Sequence, residues 1–162
     1  MSNIISNINI RRFEEKDAEA VQTLIVRNFL EVNSKDYGIE IMQEIAKAYD
    51  VEKVKRIAGY AHMYVFEYNK QIVGVGSISS FWGSETESVL LTIFVLPELH
   101  GNGIGKLIIQ TLEQDEFYIR ANRIEIPSSI TAVEFYRKFG YDYKNGIKEL
   151  DKENHYVLEK YK

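Results

Sequence analysis

Val95-Leu96-Pro97-Glu98-Leu99-His100-Gly101-Asn102-Gly103-Ile104-Gly105 places three glycines in its last five residues, directly behind one apolar run and ahead of another. The run before it, Val89 to Val95, is rich in β-branched and aromatic residues and reads as a strand; the run after it, Lys106 to Phe117, sets Ile108, Ile109 and Leu112 on one helical face. Arg123 to Ile126 then reads as a second short strand. Strand, helix and strand make a β-α-β unit, so the two strands are expected to be parallel with a right-handed crossover. The glycines therefore fall where a strand hands over to a helix. Bare backbone there can come close to a ligand, the free N–H groups of the first helical turn converge, and the helix dipole favours an anion by about 0.3–1 kcal/mol per charge. A phosphate suits that corner; a plain connector making a sharp turn is the alternative.

Outward from this unit, Ile8 and Ile10 alternate with asparagines as in a strand, and Val21, Leu24 and Ile25 follow at helical spacing behind Asp17. A second helical pattern runs through Ile41, Ile45 and Ala48, and Asp50 to Ile57 reads as a third short helix ending before Gly59. From His62 the period changes: Met63 to Tyr68 and Ile72 to Phe81 are β-rich and joined across Asn69-Lys70, so an antiparallel meander leads into Val89 to Val95. After the crossover, Ile130 to Phe139 reads as a helix stopped by Gly140, and weaker strands lie near Tyr141 to Lys144 and His155 to Glu159. The two prolines, Pro97 and Pro127, are placed just past the ends of the parallel strands. The expectation is one α/β (α+β) domain over residues 1–162: a mixed, mostly antiparallel sheet of about seven strands flanked by helices, with a central parallel pair.

Composition narrows the function classes. At 162 residues, 45% apolar and 27% charged, the chain is of ordinary globular make-up. Without cysteine it has no thiolate nucleophile, disulfide or Cys-ligated zinc, and His62, His100 and His155 are scattered, which argues against a metal site. The N-terminus lacks the apolar core of a signal peptide and no run reaches membrane-spanning length, so no membrane partner and a cytoplasmic location are expected. A net charge of −4 disfavours a nucleic-acid partner. Nothing in the composition opposes a homodimer.

Two familiar phosphate loops do not fit. A Walker loop needs Gly-Lys-Ser/Thr, and here Leu107 follows Lys106; a dinucleotide fingerprint counted from Gly101 meets Lys106 at its last glycine. The stretch instead resembles the acyl-CoA-binding segment of the GNAT superfamily of N-acyltransferases, which reads Val-x-Pro, a spacer, then Arg/Gln-x-x-Gly-x-Gly/Ala. Here Val95-Leu96-Pro97 is followed by His100-Gly101-Asn102-Gly103-Ile104-Gly105. A second family hallmark, A-x-x-F-Y-x-x-x-G-F/Y, is matched by Ala132 to Tyr141, with Phe135, Tyr136 and Gly140 in register. The expected order of elements is also the family's.

The resemblance implies acetyl-CoA as cofactor and a splayed central strand pair. Amides of Gly101, Asn102, Gly103, Ile104, Gly105 and Lys106 would hold the diphosphate, and the pantetheine arm would pair with the backbone of Ile93, Phe94 and Val95 like an added strand. The Ile93 N–H would take the acetyl carbonyl and stabilise its developing negative charge, a contact worth about 3–4 kcal/mol elsewhere. His100 departs from the usual Arg/Gln; it can still donate, or it is a loop histidine facing water. Tyr136 matches the tyrosine placed beside the cofactor sulfur, although Ala132, Phe135, Tyr136 and Phe139 share a helical face and could be core. A phenol near pKa 10 protonating a thiolate near 8.5 is uphill by roughly 2 kcal/mol, which favours thiolate stabilisation over full proton transfer. Thr131 aligns with a pantetheine-binding asparagine, but Thr131-x-x-Glu134 also reads as a capping box, the preferred role. Ser128 and Ser129 face the cleft or form the turn.

An amine nucleophile near pKa 10.4 is about one part in a thousand neutral at physiological pH, so a base is useful. Val89 stands where histone-modifying relatives carry a glutamate. Glu87, on the same pleat face, is the substitute, with Glu85 behind it and a solvated hairpin acid as the alternative. Acceptor recognition is assigned to residues 29–59, with Phe81 and Trp82 as walls. Together these imply an acetyl-CoA-dependent N-acetyltransferase acting on a small-molecule amine by direct attack in a ternary complex; a protein amine comes second, and a non-catalytic CoA-binding sensor is the rival class.

Overall fold

The computed structural model describes residues 4–162. A seven-stranded sheet runs in the order β1-β2-β3-β4-β5-β7-β6, built from β1 (Asn9–Arg12), β2 (His62–Tyr68), β3 (Gln71–Ser80), β4 (Glu87–Val95), β5 (Arg123–Ser128), β6 (Asp142–Tyr143) and β7 (Tyr156–Tyr161). Every pairing is antiparallel except β4–β5. The β2–β3 hairpin closes on Asn69 and Lys70, which both adopt positive φ (50° and 64°), the conformation that a tight turn between right-twisted strands requires.

Helices cover both faces. On one, α1 (Ala18–Asn28) buries Val21, Leu24 and Ile25, continues as a π turn (Phe29–Asn33) into α2 (Ser34–Tyr37), and is followed by α3 (Ile39–Ala48) and α4 (Val51–Tyr60). On the other, α5 (Ile104–Leu112) buries Ile104, Ile108, Ile109 and Leu112, with α6 (Glu116–Ile119) and α7 (Val133–Arg137) beyond it. The close approach of α5 requires bare backbone beneath it: a Cβ on Gly76 of β3 would lie 2.3 Å from Ile108 Cγ2.

Several boundaries depart from the sequence expectation. The helix expected over Lys106 to Phe117 starts two residues earlier and breaks after Leu112, because the buried Asp115 is drawn across to β2. Asp115 accepts from Tyr64 Oη (2.6 Å), contacts His62 Nδ1 (2.9 Å) and caps α6 at the Phe117 N–H (2.8 Å). Helix α4 runs through Gly59 to Tyr60. In α3 the buried residue is Met42, while Ile41 and Ile45 are exposed. The regular part of α7 is only Val133–Arg137, and the Thr131 capping box is not formed: Ala132 occupies the cap without a side-chain bond. Pro127 lies inside β5, opposite Val157 and past the last residue of β5 that pairs with β4.

Candidate functional site

The parallel pair is short. β4 and β5 are in register only from Glu87/Arg123 to Val89/Glu125, after which β4 continues to Val95 and β5 to Ser128 without pairing with each other. A gap therefore opens at the C-terminal ends of both strands. At the same end β4 bulges: Val75 faces Phe94 and Ser77 faces Leu91, so two residues, Thr92 and Ile93, oppose the single Gly76. Phe81 N–H bonds Glu87 C=O, and Leu96 N–H bonds Val73 C=O. Counting alternately inward from these two anchors, Leu91 and Phe94 both turn their backbone groups toward β3. The intervening Thr92 and Ile93 turn away from it, toward the gap, and Val95 does the same. Thr92 takes φ 55°, a strained conformation for a β-branched residue and one that clusters at functional sites. Ile93 and Val95 thus present backbone to the opening. Phe94 does not: its backbone goes to β3 and its ring packs edge-on against Phe29 at 5.7 Å.

Beyond Val95, a 3-10 turn (Pro97–Leu99) leads into the glycine segment, in which Gly101 and Gly103 both sit at φ 85°. Only glycine adopts that conformation readily. Helix α5 begins at Ile104, and its first bond is Leu107 N–H to Gly103 C=O (3.1 Å), so the N–H groups of Ile104, Gly105 and Lys106 have no acceptor within the helix. These three amides, at the positive end of the dipole, form an anion-ready turn. Gly105 is bare for a different reason than expected: a Cβ there would lie 3.0 Å from Phe135 Cζ, so the residue lets α7 pack on α5. Asn102 folds its amide back onto the Leu99 carbonyl (3.0 Å). His100 is exposed on this loop, but its ring is turned away from the amides: its Nε2 lies 2.9 Å from the Val95 carbonyl.

Tyr136 is buried on α7, edge-on to Phe135 at 5.3 Å, and burial pushes its phenol above the ordinary value. A stronger hold on its proton makes transfer to a thiolate still less favourable and leaves hydrogen-bond donation as its chemistry. Thr131 gives both its N–H (3.2 Å) and its hydroxyl (2.9 Å) to Asp36 of α2. Beside it Tyr37 receives the Ile130 N–H (3.2 Å) and donates to the Asn154 carbonyl (2.7 Å). Ser128 is buried with its hydroxyl on the Ser129 carbonyl.

Glu87 stands apart from these groups. It lies at the paired end of β4, six residues before Ile93, or about 20 Å at 3.3 Å per residue. Its carboxylate is held by the buried Arg123 at 3.1 Å, which also binds Glu159 (2.8 Å) and Glu125. Glu85 is exposed, Phe81 lies under the Arg123 guanidinium at 5.4 Å, and Trp82 is 93% exposed at the hairpin tip, so neither aromatic lines the gap. The ring wall beside β4 is instead Phe29, Phe94 and Tyr49, with Tyr49 edge-on to Phe29 at 5.3 Å and its phenol pushed up to about 12 by burial.

Sequence reasoning passed over Asn28, which is buried and donates Nδ2–H to both the Leu24 carbonyl (3.0 Å) and the Val95 carbonyl (2.9 Å). The signal was present: an asparagine closing an apolar helical stripe of Val21, Leu24 and Ile25 has to find a partner.

A family model described as an acetyltransferase (GNAT) domain matches residues 30–155. No curated protein matches the sequence. Among solved structures, a PaiA N-acetyltransferase from Thermoplasma acidophilum, crystallised with coenzyme A, is 17% identical with a TM-score of 0.79 over 100% of both chains. A GCN5-related N-acetyltransferase from Rhodopseudomonas palustris is 21% identical with a TM-score of 0.77 over 95% of each. N-acetylglutamate synthase from Neisseria gonorrhoeae, solved with coenzyme A and L-arginine, is 16% identical with a TM-score of 0.64, over 95% of this chain and 33% of that one.

Proposed function

The chain belongs to the GNAT acetyltransferase family, and from that membership we propose that it transfers an acetyl group from acetyl-CoA to a primary amine of a small molecule, by direct attack in a ternary complex. The carrying observation is the β4 bulge, which turns the Ile93 backbone into the gap between the splayed strands beside an anion-ready helix start. The cofactor supplies an acyl group as a thioester, open to attack by nitrogen. The amides of Ile104, Gly105 and Lys106 hold its diphosphate, with Gly101 and Gly103 bending the chain around it. The N–H groups of Ile93 and Val95 face the pantetheine arm, and Ile93 N–H steadies the charge that develops on the thioester oxygen. Tyr136 donates a hydrogen bond to the departing thiolate. Phe29, Phe94 and Tyr49 form an apolar wall suited to the carbon skeleton of the amine.

One observation favours a second reading, a CoA-binding sensor without turnover: the Glu87 carboxylate is taken up by Arg123 far from the bulge. The deciding experiment is release of free thiol from acetyl-CoA across a panel of amines. Thiol release that depends on an added amine supports the transferase; tight CoA binding with no release by any amine supports the sensor; no binding removes both. In the transferase case, Glu87→Gln keeps a contact to Arg123 and is expected to retain most of the turnover. A hundredfold loss would restore Glu87 as the base.

A further inference from the structure

The Val95 carbonyl, which points into the gap between the splayed strands, has no acceptor capacity left. An oxygen of this kind has two lone pairs. One receives the Nδ2–H of Asn28 at 2.9 Å and the other the Nε2–H of His100 at 2.9 Å. Because a carbonyl can only accept, the His100 ring must carry its proton on Nε2. The two donors are held very differently. Asn28 is 4% exposed on the last turn of α1 and is anchored a second time on the Leu24 carbonyl. His100 is exposed, on the loop that leads into the glycine segment.

A pantetheine arm that pairs with β4 in strand fashion needs both polar groups of Val95. Its N–H is turned to the gap; its C=O is doubly occupied. On the acetyl-CoA reading given above, which this step requires, we infer that Asn28 is a positioning residue that fills one lone pair permanently and aims the other, and that His100 is a displaceable plug on that second lone pair. The arm's amide N–H replaces the His100 Nε2–H, and the imidazole leaves Val95 beside the phosphate-binding turn. One neutral hydrogen bond is exchanged for another, so the swap alters affinity by less than about tenfold and acts through geometry. His100 holds the end of β4 in its splayed direction until the cofactor takes its place.

The test uses full-length protein labelled with nitrogen-15 in its histidines, with CoA itself as the probe and calorimetry to establish saturation. The His100→Gln variant identifies the His100 signals. In the free protein His100 is expected as the Nε2–H tautomer. On saturation with CoA its two ring nitrogens should move toward each other in shift, while His62 and His155 stay in place. In Asn28→Ala, with Asn28→Leu as the isosteric second variant, a lone pair on Val95 is spare, so CoA should bind and leave His100 on Nε2–H. A merely structural Asn28 would not produce that difference. If CoA binds and wild-type His100 does not change, the inference fails and the acetyl-transfer reading stands. If His100 changes equally in the Asn28 variants, the lone-pair account is refuted. If CoA does not bind, both fall.

Discussion

Gly76 sits under α5 and opposite the β4 bulge, and replacing it by alanine tests how tightly the helix that carries the anion-ready amides is pressed onto the sheet. The new Cβ would lie 2.3 Å from Ile108 Cγ2 and 3.3 Å from Leu112 Cδ1. Carbon atoms rest about 3.5–4.0 Å apart, so the first contact is short by more than 1 Å, on the order of a whole methyl radius. Ile108 is 0% exposed and its branched χ1 has no free alternative on a helix, so α5 itself must lift. Such overpacking costs about 1–3 kcal/mol, which for a domain of this size lowers Tm by about 2–4 °C per kcal/mol. Urea melts of a double-mutant cycle give the sharper test. Ile108→Ala alone should cost about 2–5 kcal/mol by leaving a hole. Gly76→Ala placed on top should fill part of that hole, so the pair should cost less than the sum of the singles by about 0.5–3 kcal/mol. Additive costs, or a Gly76→Ala single variant within about 0.5 kcal/mol of wild type, the range of an ordinary surface change, would refute the close approach.

Two further predictions follow from the tyrosines. Tyr136→Phe keeps the ring against Phe135 and removes the donor, so turnover of acetyl-CoA should fall at least tenfold with CoA affinity, measured by calorimetry, changed less than threefold; unfolding of the variant would mark the residue as core. Burial raises the phenols of both Tyr136 and Tyr141 above their ordinary value near 10. Below pH 10 neither the folded nor the unfolded form ionises, and no stability is lost. Above it the unfolded chain releases protons that the folded chain retains, so stability falls by up to about 1.4 kcal/mol per pH unit for each of the two. Urea midpoints from pH 9 to 11 should show this fall, and the Tyr136→Phe variant should show a shallower one; a flat profile would contradict the burial of both hydroxyls.

What could be read from the sequence was what neighbours in the chain decide. Asn69-Lys70 marks its own turn, the β-rich runs on either side of it become β2 and β3, and the glycines with the apolar faces around them locate the crossover. The motif matches place Ile93, the Gly101–Lys106 turn and Tyr136 on the elements expected. What stayed hidden depends on partners far away in sequence. The bulge at Thr92 has no local mark, since Val89 to Val95 carries neither glycine nor proline and its slip is set by register against β3. The break after Leu112 comes from Tyr64 and His62, more than fifty residues upstream of Asp115. Thr131 is diverted from its cap by Asp36, ninety-five residues earlier, and Glu87 is claimed by an arginine on the neighbouring strand.

The sheet ends on β1 and β6, and both borders are poor templates for a further chain. β6 is two residues long, and β1 is four residues long and carries Arg11 and Arg12, with Arg11 tied down by Asp17 at 2.8 Å and Glu67 at 3.0 Å. Short, charged margins of this kind block the lateral growth by which sheets polymerise. Copies of this protein should therefore resist adding strands at these two borders.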